Sequence, residues 1–165
     1  MKIIGSVKED LALEKRISIS PETAKKLVSL NFSVMIEKGY GNHLGIADEE
    51  YKSSGAILQN SAEEIIKKAD IILRVNCLSD NEINIIKNKS IIIGQIDPLL
   101  DKEKIKRIIK KGINIFSLNL LPRITRAQSM DVLSSQANLA GYRAVIESVK
   151  EFKKAIPMMM TAAGT

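Results

Sequence analysis

The sequence predicts an α/β fold of three layers, a mostly parallel sheet with helices on both faces, ending in a long C-terminal helix. Three observations lead there. Short apolar runs alternate with segments of helical period, and each switch is marked by Gly, Asn, Asp or Pro, the pattern of a parallel sheet with helical crossovers. The runs "IILRV" and "IIIG" are continuously apolar, which places them inside a sheet covered on both sides. From about Ser129, the residues Met130, Leu133, Ala137, Ala140, Ala144, Val149 and Phe152 recur mostly at intervals of three to five, up to about Lys153. That spacing implies a helix of about 25 residues, roughly 38 Å long.

In chain order, the predicted strands are "KIIGSV", "FSVMIEK", "DIILRV", "SIIIGQ" and "INIFSL". Helices fill the intervals. "SPETAKKLVSLN" opens with Ser20 as N-cap and Pro21 at the first helical position, carries Glu22 near the positive end and stops at Asn31. "NSAEEIIKKAD" takes Asn60 or Ser61 as its cap, with acids in the first turn and lysines in the last, as the helix dipole favours. "DNEINIIKNK" and "DKEKIKRIIKKG" repeat that arrangement. The whole is of the Rossmann-like or flavodoxin-like kind. On the long helix, Ser134, Ser135, Ala137, Ala140, Gly141 and Ala144 form a thin side where another backbone could pack closely.

The 165 residues suit one domain of ordinary size, and 45% hydrophobic with 27% charged residues is a globular composition. No apolar run approaches the roughly 18 residues that span a bilayer, which predicts a soluble protein. The opening "MKIIGSVKEDLALEKR" turns charged at once and argues against export. The single cysteine, Cys77, excludes an internal disulfide and fits a reducing compartment. A net charge of +6 raises the question of nucleic acid, but Lys and Arg are spread along the chain and no recognition motif accompanies them. The densest basic stretch alternates Ile105, Ile108 and Ile109 with Lys and Arg, the solvated face of an amphipathic helix.

Four stretches are candidates for chemistry. In "EKGYGNHLGIADEEY", Gly39, Gly41 and Gly45 follow a strand, as in a phosphate turn. Their spacing is not G-x-G-x-x-G, and "NHLGIAD" delays any following helix, so a plain surface loop is the preferred reading. His43, the only histidine, has no second metal ligand and no serine elbow near it. Lys8, Glu9, Glu14 and Arg16 follow the first strand, at the end where open sheets bind ligands, unless they form a solvated loop. Nothing near Cys77 favours a thiolate, which suggests an inert residue. In "LPRITRAQSMDVLSSQ", Arg123, Arg126, Gln128 and Asp131 crowd behind Pro122. Either Ser129 or Asp131 caps the long helix and the arginines are simply solvated, or Arg and Gln supply donors to a polar, planar or anionic ligand while Asp orients them.

The stretches "KEDLALEKRISISPETAKKL", "EKGYGNHLGIADEEYKSSGA", "PRITRAQSMDVLSSQANLAGYRAVIE" and "MMMTAAGT" together resemble the N-terminal part of the alpha subunit of proton-translocating NAD(P) transhydrogenases, relatives of alanine dehydrogenase. The resemblance covers essentially the whole chain. It implies that Arg123, Gln128, Asp131 and Ser134 hold the dihydronicotinamide of NAD(H), with Arg126 adjacent, so that hydride passes to NADP on another component. Two departures separate the chain from alanine dehydrogenase. Asn76 stands where that enzyme has a substrate-binding lysine, and Asp97 where it has a catalytic histidine, although Arg16 matches a shared position.

The resemblance also implies an N-terminal catalytic-side domain over 1–155 and a linker over 156–165 leading toward a second, dinucleotide-binding domain. Because the G-x-G-x-x-G half of the cleft lies in that second domain, the 165-residue chain alone is expected to bind NAD weakly or not at all. The implied partners are a separate NAD-binding domain or chain, membrane and NADP-binding transhydrogenase subunits, and a second copy in a homodimer. The implied location is cytoplasmic, peripheral at the inner membrane through those subunits. An alanine dehydrogenase-like oxidoreductase and a non-catalytic interaction module or truncated remnant are the alternatives.

Overall fold

The computed structural model describes residues 1–154; the expected linker over 156–165, with Pro157 and the three methionines after it, lies outside the described residues. The chain divides into two compact units, Met1–Leu120 and Leu121–Thr165. The first holds a six-stranded sheet in the order β3-β2-β1-β4-β5-β6. Its strands are β1 (Ile3–Ser6), β2 (Ser33–Glu37), β3 (Ile57–Gln59), β4 (Ile71–Leu73), β5 (Ile91–Gly94) and β6 (Asn114–Ser117). Every pairing is parallel, with Ile4 opposite Val34 and Ile71, and Ile92 opposite Ile115. This is a doubly wound sheet whose order reverses between β1 and β4.

Helices α1 (Pro21–Ser29), α2 (Asp48–Ser53), α3 (Ala62–Lys68), α4 (Asp80–Ile85) and α5 (Lys102–Lys110) make the crossovers. Their starts follow the expected chemistry. The Ser20 hydroxyl accepts from the Thr23 amide at 3.2 Å, and Ser61 and Ser79 do the same for Glu64 and Glu82 at 3.4 Å each. Asn31 ends the first helix with a left-handed φ of 68°, a conformation that asparagine tolerates better than most side chains.

The sheet separates two apolar clusters. One gathers Ile65, Ile66, Ile72, Ile83, Ile92, Ile108 and Ile113 on the side of α3, α4 and α5. The other gathers Ile4, Ala24, Val34, Ile36, Tyr40 and Tyr51 on the side of α1 and α2. Tyr40 and Tyr51 meet edge to face, ring centres 5.9 Å apart. Two glycines are fixed by close approach: a Cβ on Gly94 would lie 2.6 Å from the Arg74 carbonyl oxygen, and one on Gly5 would lie 2.6 Å from Ile65.

Asp70 closes the start of the sheet. Its carboxylate accepts from the Ile3 amide at 2.9 Å and from Lys87 Nζ at 2.7 Å. The Lys87 hydrogen bond first, and the Ile3 amide second, hold its pKa below the ordinary aspartate value. A depressed folded-state pKa contributes stability that is fully present above the unfolded value of about 3.9 and is lost as pH falls through the folded value. Asp70→Asn should therefore flatten the decline of the urea midpoint between about pH 5 and pH 2, and an unchanged decline would refute the assignment.

The second unit carries a 3-10 segment over Thr125–Met130 and helix α6 (Val132–Glu151). The long helix is thus 20 residues, shorter than the spacing implied, because Asp131 at ψ 88° interrupts the helical path and becomes the cap. The Asp131 carboxylate accepts from the Ser134 amide at 3.0 Å and the Ser134 hydroxyl at 2.6 Å. The expected thin side has open space rather than a close neighbour at Gly141, where an added Cβ meets nothing within 4 Å. Gly141→Ala should accordingly stabilise α6 by about 0.5–1 kcal/mol, read as a higher thermal midpoint; a lower one would mean that something packs there.

Candidate functional site

The seam between β1 and β4 is where an open sheet of this order presents its ligand crevice. Here it is filled from within. Glu9, just past β1, turns inward and takes the Arg74 guanidinium in a two-pronged pair, Nε to Oε1 at 2.9 Å and Nη2 to Oε2 at 3.0 Å. Glu9 also accepts from the Val75 amide at 2.7 Å, and Arg74 Nη1 reaches Glu82 at 2.6 Å. The Arg74 and Glu9 side chains are 6% and 4% exposed. Burial works against the charge of Arg74, but the hydrogen bond to Glu9 and the charge of Glu82 more than offset it, and its pKa is raised.

Beside this pair, Ser6 Oγ, Ser18 Oγ and Tyr40 Oη lie within 2.8–3.0 Å of one another, and both serines donate to the Leu73 carbonyl. The Ser18 amide donates to Tyr40 Oη at 2.9 Å.

The charged groups singled out after β1 are therefore each paired within the fold. Lys8 pairs with Glu37 at 3.1 Å, and Arg16 lies across Glu14, Nη2 to Oε2 at 2.6 Å. That hydrogen bond is the largest cause of the lowered Glu14 pKa and of the raised Arg16 pKa. The glycine-rich stretch is a structural loop. Gly39 and Gly45 take left-handed φ angles of 76°, Tyr40 is buried, and the Gly39 amide donates to Asp48 at 2.7 Å. His43 Nε2 donates to the Lys15 carbonyl at 2.7 Å. Burial pushes the Cys77 thiol up to about 11, in keeping with an inert residue. Asp97 is taken up by a turn, its carboxylate accepting from the Leu99 amide at 2.8 Å.

Arg74 was not among the residues the sequence singles out. The signal was there: a lone arginine inside the apolar run "IILRV" is a charge that the fold must bury and pair.

In the second unit, Arg123, Gln128, Asp131 and Ser134 line one hollow of about 400 Å³ together with Pro122 and Ile124. Arg126 is exposed and does not line it. Asp131 takes both roles that the sequence left open, helix cap and member of the polar group. Its pKa is lowered, by the Ser134 hydroxyl first and the Ser134 amide next, with the Arg123 charge contributing, so it stands as a carboxylate. Each carboxylate oxygen already accepts one hydrogen bond and keeps a lone pair for another. The hollow thus offers guanidinium and amide donors together with an ionised acceptor.

The family described as alanine dehydrogenase/PNT, N-terminal domain, matches residues 5–140. The chain belongs to this family. Among the family's curated proteins, the chain is 44% identical to the first-part polypeptide of NAD(P) transhydrogenase subunit alpha from Rickettsia prowazekii, across 100% of this chain and 44% of that one. It is 41% identical to the protein of the same name from Rhodospirillum rubrum, across 98% of this chain and 44% of that one.

A solved transhydrogenase from Sinorhizobium meliloti superposes with a TM-score of 0.88 at 45% identity, covering 99% of this chain and 48% of that one. The chain therefore spans less than half the length of these relatives. Alanine dehydrogenases of the family are more distant, at 27% identity for the Methanococcus maripaludis enzyme, across 84% of this chain and 37% of that one. Among the described residues, no helix is long and apolar enough to cross a membrane.

Proposed function

We propose that this chain forms the nicotinamide-facing half of an NAD(H) site in a proton-translocating NAD(P) transhydrogenase, in which hydride passes from NADH to NADP on a partner component. The single observation that supports this most directly is the shared hollow of Arg123, Gln128, Asp131 and Ser134. Its polar complement suits a carboxamide, which needs a donor for its carbonyl and an acceptor for its amine. Arg123 and Gln128 serve as donors, and Asp131 as acceptor. Ser134 binds one oxygen of the Asp131 carboxylate through its amide and the other through its hydroxyl, which keeps that carboxylate from rotating. Arg126, next to these residues in sequence but outside the hollow, adds positive charge to the same segment.

Bound NADH supplies the hydride. The chain's own contribution is orientation, since a reacting carbon displaced by about 1 Å loses on the order of 10²-fold in rate. Residues 1–155 act as the catalytic-side domain and 156–165 as the linker toward a dinucleotide-binding half. That half, the membrane and NADP-binding subunits and a second copy of this chain complete the assembly, which sits at the cytoplasmic face of the inner membrane through those subunits. Asn76 and the turn-bound Asp97 weigh against a 2-amino acid substrate.

Calorimetry with NADH tests the division of labour. The chain alone should give no saturable heat at micromolar concentrations, because the helix N-terminus that grips the phosphates belongs to the partner. Micromolar affinity in the chain alone would overturn that division.

A further inference from the structure

The first unit sorts its charges from one end to the other. Each crossover helix runs antiparallel to the strands, so its last turn lies at the edge where the strands begin, opposite the crevice. The first turns of α1, α2, α3 and α5 carry acids, and their last turns carry Lys26, Lys52, Lys67, Lys68 and Lys110. The helix dipole favours that placement. It does not account for the loops. The segments leading into β1 and β5 add Lys2, Lys87 and Lys89 at the same end. Among the described residues, Asp70 is the only acid in the segments that lead into the strands, and it lies between Lys87 at 2.7 Å and Lys2 at 4.0 Å.

Lys89 holds a left-handed φ of 60°, a conformation that glycine or asparagine adopts more readily. Among the described residues, no ion pair holds Lys89 or Lys110. Lys26, Lys67 and Lys68 pair only with exposed glutamates one helical turn back, contacts weak enough to be released. Leu30 and Ile109, at the ends of α1 and α5, and Ile57, at the start of β3, are exposed among these lysines. Arg107 is turned to Asp80 and Asn84.

We propose that this end of the sheet is a foothold on an anionic lipid bilayer, with the lysines over the headgroup phosphates and Leu30, Ile57 and Ile109 against the interfacial layer. The choice of lipid rests on the reading that the assembly sits at the inner membrane, and the contact gathers the chain on the surface where the membrane subunits lie. Lysine ammonium groups are point charges without a fixed fork, which suits a fluid array of phosphates. A nucleic acid would be met by free arginines and exposed aromatic rings, and among the described residues this end presents neither.

The test is co-sedimentation of the 165-residue chain with vesicles of phosphatidylcholine containing about 30 mol% phosphatidylglycerol, beside vesicles of phosphatidylcholine alone. The chain should pellet with the anionic vesicles only, and its affinity should fall at least tenfold between about 0.05 M and about 0.3 M salt. A lysine near such a surface is worth about fivefold in affinity, so Lys89→Glu combined with Lys110→Glu should weaken binding at least tenfold. Lys15→Glu combined with Lys102→Glu changes the net charge equally at the crevice end, more than a Debye length of about 10 Å away, and should stay within about threefold. Lys89→Gly separates binding from folding: it relieves the left-handed backbone, so it should raise the urea midpoint and still weaken binding by about fivefold.

No pelleting with anionic vesicles, equal pelleting with neutral ones, or equal weakening by the two double variants overturns the proposal. So does tighter binding to a short DNA duplex than to the vesicles at the same salt, lost with Lys89 and Lys110, which would make nucleic acid the occupant. The functional reading is decided separately, by hydride transfer in the assembled enzyme, and survives a failure of lipid binding.

Discussion

Arg74→Ala should lower the free energy of unfolding by about 3–5 kcal/mol, because it leaves the Glu9 carboxylate buried with no cation beside it. The carboxylate would keep only the Val75 amide at 2.7 Å. Against a total stability of about 5–15 kcal/mol for an ordinary domain, this is the difference between a folded and a marginal protein. Glu9→Gln should cost less, since the neutral amide can still accept from Arg74 through one oxygen. Urea denaturation at pH 7 tests this: a loss under about 1 kcal/mol for Arg74→Ala would show that the pair is solvated. Replacing Arg74 by Met together with Glu9 by Leu should restore part of the loss, because an apolar pair of similar volume carries no desolvation cost.

In the assembled enzyme, Arg123→Ala should lower hydride transfer to an NADP analogue by about 10²-fold while leaving the unfolding midpoint of residues 1–120 unchanged. Asp131→Asn should have a comparable effect for a different reason. The amide replaces an acceptor oxygen with a donor and removes the negative charge, so the ligand loses an ionised acceptor even where Ser134 Oγ turns to accept from the new amide. The isolated chain distinguishes that loss from a structural one. Asparagine also caps helices well, so α6 should keep its circular dichroism in Asp131→Asn, and loss of the helix signal would mean that the rate defect is structural. Stopped-flow rates for both variants, read beside their helix content, decide the matter.

Much of this fold was legible because isoleucine-rich runs and capped helices signal themselves locally. Ser20 with Pro21, and the serines before "AEEIIKK" and "DNEINI", mark helix starts within a few residues of chain. The third strand was not legible. Ile57–Gln59 is a three-residue edge strand with one partner, and so short a run has no period to read. Helix α2, six residues led by Asp48, Glu49 and Glu50, was hidden for the same reason.

At the candidate site, the residue types were visible but their division was not. Whether Arg123 and Arg126 face the same way depends on the 3-10 winding of Thr125–Met130, which composition does not specify. Conversely, Glu9 looked like a ligand group because its partner is 65 residues away in sequence.

The hydroxyls of Ser6, Ser18 and Tyr40 have a wider implication when taken with the Arg74 pair. They act as a stopper in the mouth through which doubly wound sheets usually receive a nucleotide. A scaffold plugged in this way ties its strands to the plug: they can drift in sequence as long as those contacts hold.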